Sequence, residues 1–445
     1  MQFQNFRKSN YMKRREFIIN TSLFSISALF APAFTFGSKK LKIGIIGAGA
    51  SGLFLAKTLK KKGYDITLFE AKENVGGRIA SNTSFCSKPI DLGAQWIHGK
   101  NELYKIVNDS RTLIYEDVAN ANIKIINKDT LLENLPTDFY EFIKKSRRLT
   151  PLQSDISILE FAKSINKNDE FLRLIENIVT DAATTADSIS INEFSKVTNR
   201  LKTTDYQFKD TTMYGFFQKN FEEDLKNEII LNMPIQEIDY SSSRIKVTNT
   251  YNEIFEFDKV IVTIPISELK SNKIRFIPNL TEEKIKAFDY IGMDKGLKLF
   301  LKFNKKFYDH ALFNGQYAGY YIDVPKYSDD STSMLASLVM GNHASKYYEN
   351  PEKAIENYLS ELDSYFNGGA SKHFVNYLVK DWGNEPYING VYSYTKPNGN
   401  HARKIARKSI DNKIYFAGEA MNTKLNYGNV HGALESAIDV IKEIH

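Results

Sequence analysis

Three glycines carry the first chemistry legible in the chain. In Gly47-Ala48-Gly49-Ala50-Ser51-Gly52 they recur at the spacing Gly-x-Gly-x-x-Gly. Gly47 admits a tight turn, Gly49 lets a pyrophosphate approach the backbone, and Gly52 lets a helix pack closely on a strand. The apolar run Leu41 to Ile46 leads into the motif, and a helical stretch from Leu53 to Lys62 leaves it. The helix N-terminus, with Ala50 and Ser51 at its start, then faces the phosphate charge. Asp65-Ile66-Thr67-Leu68-Phe69-Glu70 reads as a second strand, and Glu70 lies 23 residues after Gly47, where a carboxylate is needed for ribose hydroxyls. A lone glycine triplet is a weak signal; strand, helix, strand and terminal acid in this order make a dinucleotide site.

Nicotinamide and flavin cofactors share that arrangement, and the next residues discriminate. Glu70 is followed by Ala71-Lys72-Glu73-Asn74-Val75-Gly76-Gly77-Arg78. Here the sequence resembles the flavin-containing amine oxidases, whose FAD domain carries Gly-Gly-Arg after the ribose acid. A Gly77 backbone can lie against the flavin, and Arg78 supplies a cation near the pyrophosphate.

Further blocks resemble the same family, in order. Asp91-Leu92-Gly93-Ala94-Gln95-Trp96-Ile97-His98-Gly99 is similar to the polyamine oxidase segment that passes the isoalloxazine ring. The resemblance implies that Gly93, Ala94, Gln95 and Trp96 contact the cofactor and that His98 lines the active site. It also implies that Ile235 contacts adenine through its backbone. Leu297 to Phe303 alternates with a period of two, the mark of a half-buried strand, with Lys298, Phe300 and Lys302 on one face. This stretch resembles the polyamine oxidase segment whose lysine holds a water near flavin N5, and the match places Lys298 in that role. Trp382-Gly383-Asn384-Glu385-Pro386 with Gly390-Val391-Tyr392-Ser393-Tyr394 resembles polyamine oxidases and related histone demethylases. Trp382 and Tyr392 are the expected aromatic walls for an amine. In Ala417-Gly418-Glu419 and Asn429-Val430-His431-Gly432, the family places Gly418 and Glu419 near the ribityl-phosphate end. It places the Val430 amide, at a helix N-terminus, near flavin O2.

Two departures shape the expectations. The cysteine that tethers flavin in monoamine oxidases is missing, so FAD should be held non-covalently. Where many relatives carry a tyrosine to sandwich the amine, this chain has Asn429, with Tyr427 two residues earlier. The resemblance implies hydride transfer from a polyamine-like substrate to flavin N5, imine hydrolysis, and reoxidation by molecular oxygen to hydrogen peroxide. An L-amino-acid oxidase, a related flavoprotein desaturase and a non-catalytic FAD-fold binding protein are the alternatives.

The elements that must position these groups form an α/β fold. A discontinuous Rossmann-like FAD-binding domain (39–100, 218–270 and 395–445) interleaves with a mixed α+β substrate-binding domain (101–217 and 271–394). Apolar spacing predicts helices within Asp155 to Thr180 and Thr281 to Ile291, and strands between Ile229 and Pro265 around Ser241-Ser242-Ser243.

Composition agrees. The 445 residues are 42% hydrophobic and 25% charged, which excludes disorder, a collagen-like repeat and a multi-spanning membrane protein. One cysteine, Cys86, excludes an internal disulfide framework and a cysteine-based zinc site, and no histidine pair has metal-ligand spacing. Of the net charge of +6, residues 1–38 hold +4 and the remainder only +2, so no nucleic-acid surface is implied. In that leader, Lys13-Arg14-Arg15-Glu16-Phe17-Ile18 resembles a twin-arginine export signal. The uncharged run from Phe17 to Gly37 follows, with Ala31 and Ala33 at a possible cleavage site. The expectation is a periplasmic protein exported folded, with its cofactor, by the twin-arginine machinery; an uncleaved leader would instead be a membrane anchor.

Overall fold

The computed structural model describes residues 40–117, 123–127, 130–149, 155–198, 204–327 and 331–444. The expected export leader, residues 1–38, lies outside the described residues.

A five-stranded parallel sheet has the order Ile229–Ile230, Asp65–Phe69, Lys42–Ile46, Lys259–Val262, Ile414–Phe416. Its strands come from three separated stretches of chain. Lys42–Ile46, Lys259–Val262 and Ile414–Phe416 are buried almost throughout, as apolar runs in a parallel sheet require. Alternation divides the sheet's residues: Ile43, Ile45, Leu68 and Ile261 join a core with helices Ala50–Lys61 and Val430–Glu443. Ile46, Phe69, Val260 and Val262 point the other way, into a core shared with Ile238, Val247 and Phe257 of a four-stranded sheet. Its hairpin, Ile235–Asp239 with Ile245–Asn249, turns at the expected serines, where Asp239 accepts from the Ser241 amide at 3.0 Å.

A seven-stranded sheet runs Phe374–Asp381, Gly296–Phe303, Ser333–Met340, Tyr320–Asp323, Ala311–Phe313, Ile123–Asn127, Thr130–Leu132. Strand Gly296–Phe303 has neighbours on both sides and covers on both faces, which corrects the half-buried expectation. Leu297, Leu299, Leu301 and Phe303 enter one core, while Phe300 packs with Ile90, Tyr327 and Met334 in another. Lys298 is therefore only 1% exposed.

The stretch 155–180 forms two helices, Ile158–Ile165 and Asp169–Val179. Asn168 divides them, its side chain accepting from the amides of Glu170 and Phe171 at 2.9 and 3.3 Å. Thr281 caps helix Glu282–Asp289, and Ile291 already belongs to strand Ile291–Met293.

Candidate active site

The motif blocks converge on one elongated cavity of about 940 Å³. Of the residues singled out in the sequence, all but Gly52 and Lys298 line it. Gly52 acts in packing: a Cβ there would lie 1.9 Å from the Gly47 carbonyl oxygen.

At the dinucleotide end, the residues fit FAD. Ser51 Oγ is buried at the start of helix Ala50–Lys61 and has no hydrogen-bond partner, and a Cβ on Gly49 would meet nothing within 4 Å. An orphaned hydroxyl beside open space at a helix N-terminus is suited to a phosphate oxygen. The Glu70 carboxylate accepts from the amides of Ala48 at 2.8 Å and Lys72 at 3.0 Å, tying the glycine turn to the next segment. Burial raises its pKa, and those two amides oppose the rise. Ala71 and Ile235 border the same end, and Gly77 leads to Arg78. Arg78 donates to Val391 O and Glu419 Oε1, both at 2.9 Å. Glu419 also accepts from Ser393 Oγ and the Gly428 amide at 2.7 Å. Burial would push the Glu419 carboxyl up, but Arg78 and Arg403 together hold it below its usual range.

The segment Asp91 to Trp96 forms the middle wall. Gly93 is forced small, since a Cβ would stand 1.9 Å from the Arg78 carbonyl oxygen. Three successive carbonyls of this segment are gripped from the seven-stranded sheet side. Lys298 Nζ donates to Asp91 O at 2.9 Å and Gly93 O at 3.1 Å, and Trp382 Nε1 donates to Leu92 O at 3.0 Å. Gln95 Oε1 also accepts from Lys298 Nζ. Lys298 thus stands one layer behind the wall, and burial pushes its pKa down to about 7 against the pull of Asp91.

At the other end, Tyr392 and Asn429 face the cavity as expected. The Tyr392 hydroxyl donates to Asp181 O at 2.6 Å. Asn429 does not cap helix Val430–Glu443; its Nδ2 donates to Tyr427 O at 3.2 Å, leaving the helix N-terminus at Val430 directed to the cavity. Tyr427 has the Arg403 guanidinium 3.7 Å from its ring centroid, so one face of that ring already holds a cation. His98 Nδ1 pairs with Asp205 Oδ1 at 2.9 Å, and its ring lies 6.2 Å from that of His431. Burial, then His98, pushes His431 down to about 4.

Asp181, which sequence reasoning missed, completes this end. It lines the cavity, and its side chain is exposed there. Burial pushes its carboxyl up to about 6, with His98 opposing and Asp205 adding to the rise. Phe139, Ile143 and Phe194 supply an apolar wall. These residues come from 101–217, where no spacing or motif flagged them. Among the described residues of the cavity wall, the lysines and arginines are Lys72, Arg78 and Lys273. Each is paired with a glutamate: Glu385, Glu419 and Glu268 respectively.

A family model described as flavin containing amine oxidoreductase matches residues 50–445. Lysine-specific histone demethylase 2 of Homo sapiens is 26% identical over 93% of this chain, which spans 54%, about half, of that relative. Polyamine oxidase 5 of Oryza sativa subsp. japonica is 26% identical, covering 88% of this chain and 85% of the relative. Among solved structures, wild-type putrescine oxidase bound to putrescine aligns with a TM-score of 0.78 at 20% identity, over 91% of this chain and 99% of that one. Cyclohexylamine oxidase from Brevibacterium oxydans aligns with a TM-score of 0.78 at 18% identity and the same coverage, 91% and 99%. At these identities the structural likeness shows the fold.

Proposed function

Because the chain belongs to the flavin containing amine oxidoreductase family, and is thus a flavin-dependent amine oxidase that holds FAD non-covalently, we propose that it oxidises polyamine-like substrates. The observation that carries this reading is the acidic end of the cavity. Asp181 faces the cavity there and Asp205 stands behind His98, while every lysine and arginine of the described wall is paired with a glutamate. A second ammonium group suits such a wall; a substrate carboxylate does not, which disfavours an amino-acid oxidase.

When bound, the flavin supplies the oxidation: hydride acceptance at N5 from the carbon beside the amine nitrogen, then electron transfer to molecular oxygen, giving hydrogen peroxide. Hydrolysis of the imine releases an aldehyde and a shorter amine. The protein's share is orientation, charge and water exclusion. Glu70, Ser51 and the glycine turn would hold the ribose and phosphates, and the paired Arg78 and Glu419 would supply charge to the pyrophosphate and ribityl-phosphate end. The N-terminus of helix Val430–Glu443 offers positive potential where negative charge develops. Tyr392 is one aromatic wall for the reacting amine. Tyr427 is a poor second wall for a cation because Arg403 already occupies a face, an arrangement suited to a neutral nitrogen at the reacting carbon. Lys298 does not take the expected place beside a water at the reacting centre: it lies behind the wall with all three hydrogens on Asp91, Gly93 and Gln95. It would act through that segment, and Lys298→Met should slow flavin reduction or reoxidation in stopped-flow traces while FAD stays bound.

The test is anaerobic reduction of the purified holoenzyme, followed by a peroxide-coupled screen of polyamines, monoamines and free amino acids. Polyamines should give the highest kcat/KM. Bound flavin that no amine reduces would overturn the reading in favour of a non-catalytic flavin-binding protein. The leader supports export of the folded holoenzyme, and Arg14→Lys with Arg15→Lys should retain it in the cytoplasm. Periplasmic fractions unchanged by that double substitution would refute twin-arginine export.

A further inference from the structure

The Lys298 ammonium has three hydrogens, and all three go to one segment: Asp91 O at 2.9 Å, Gly93 O at 3.1 Å and Gln95 Oε1. An ammonium only donates, so the Gln95 amide must present its oxygen to Lys298. Gln95 is buried yet borders the cavity, and Gly93 passes so near the Arg78 carbonyl that a Cβ there would lie 1.9 Å from its oxygen. The two carbonyls can only accept. The Gln95 amide alone among the three can reverse, turning its Nε2–H toward the lone pair that Lys298 gains when it loses a proton.

We propose that Gln95 is a positioning residue that sets the protonation state of Lys298 and so the seat of the 91–95 segment against the cofactor. The proposal rests on the flavin reading of the cavity. Other charged and titratable groups around Lys298 are accounted for. The Asp91 carboxylate accepts from the Met213 amide and the Tyr327 hydroxyl, with Lys326 3.7 Å away and Tyr115 beyond. Lys380, in register on the neighbouring strand, is tied to Glu385. The rings of Trp96 and Phe300, at 5.7 and 5.3 Å from Nζ, favour the cation but accept no proton. None of these offers an amide that can switch between acceptor and donor.

The experiment is a pH titration, between about 5 and 10, of the visible flavin spectrum of resting holoenzyme, paired with the pH profile of flavin reduction. Wild type should show one transition, absent in Lys298→Met. Gln95→Glu, of the same size but accepting only, should raise its midpoint by roughly 1–3 pH units, as a close opposite charge does. Gln95→Met, which removes the third acceptor, should lower it. The rate profile should move with the spectrum, an ordering that a purely structural side chain would not produce. Midpoints identical in all three Gln95 forms, a transition that survives Lys298→Met, or no transition in wild type would each overturn the proposal. If Gln95→Glu does not fold, the Gln95→Met midpoint decides alone. Failure to bind FAD would instead defeat the reading of the cavity, and bound flavin unreactive to amines would defeat the oxidase reading while leaving this titration valid.

Discussion

A carboxylate that ionises on a cavity wall becomes a cation receptor, and Asp181 makes that change within an accessible pH range. Burial holds its pKa near 6, so it is charged at neutral pH and neutral in mild acid. For a diamine, kcat/KM should fall as pH drops through about 6, beyond the fall expected from protonation of the reacting amine. Asp181→Asn should lose roughly 10- to 100-fold in kcat/KM for diamines at pH 7.5, the worth of a charged hydrogen bond of about 1.5–3 kcal/mol, with little change for a monoamine. Equal losses for both substrates in steady-state assays would remove Asp181 from substrate selection. Gly47 and Glu70 were legible in the sequence because a phosphate and a ribose demand fixed types at fixed spacing, whereas Arg78 and Val430 came from the family resemblance. Asp181 and Asp205 were not, because only the packing of helix Asp169–Val179 and strand Asp205–Phe208 around the cavity brings them together.

At the level of elements, helix Ala402–Arg407 is held by a buried lysine from another helix. Lys284 of Glu282–Asp289 donates to the carbonyls of Ile405, Ala406 and Lys408 at 3.2, 2.7 and 2.7 Å, satisfying the C-terminal end of the shorter helix. Burial pushes the Lys284 pKa down to about 7, so between that pH and the ordinary lysine range the unfolded chain binds more protons than the folded one. Stability should therefore rise with pH over that window. Lys284→Met should weaken this rise in Tm between pH 7 and 9.5. It should also cost about 2 kcal/mol or more at pH 7 by orphaning carbonyls. A variant whose Tm follows wild type in parallel at every pH would refute the proton linkage. The helix Glu282–Asp289 itself was legible from apolar spacing. Its capping of a helix more than 100 residues later was not, since no local pattern marks a lysine that will be buried. Strand Gly296–Phe303 teaches the same lesson: period-two alternation reports a strand, but the second cover over Lys298 and Phe300 comes from residues distant in sequence.

For the whole molecule, the cavity is a seam between elements drawn from separated parts of the chain. Gly47 and Glu70 belong to the parallel sheet region, Ile235 to the four-stranded sheet, Leu338 to the seven-stranded sheet and Val430 to the last helix. A ligand filling such a seam binds the folded state alone, so FAD should act as a structural cross-brace without any covalent bond. Cys86, the single cysteine, lies off the cavity wall with its Sγ directed to Lys88 O at 3.0 Å, which leaves no thiol to tether the flavin. Denaturing the holoenzyme should release all of its flavin and leave a polypeptide of unmodified mass. Stripping FAD under native conditions should lower Tm, and returning it at 100 times its Kd should restore about 2.7 kcal/mol of stability by mass action. That gain should shrink in Gly52→Ala, whose added methyl has no room between helix Ala50–Lys61 and the Gly47 carbonyl and so spoils the phosphate turn. A Tm indifferent to added FAD in the wild type, measured by differential scanning fluorimetry or calorimetry, would show that the seam is closed by protein contacts alone.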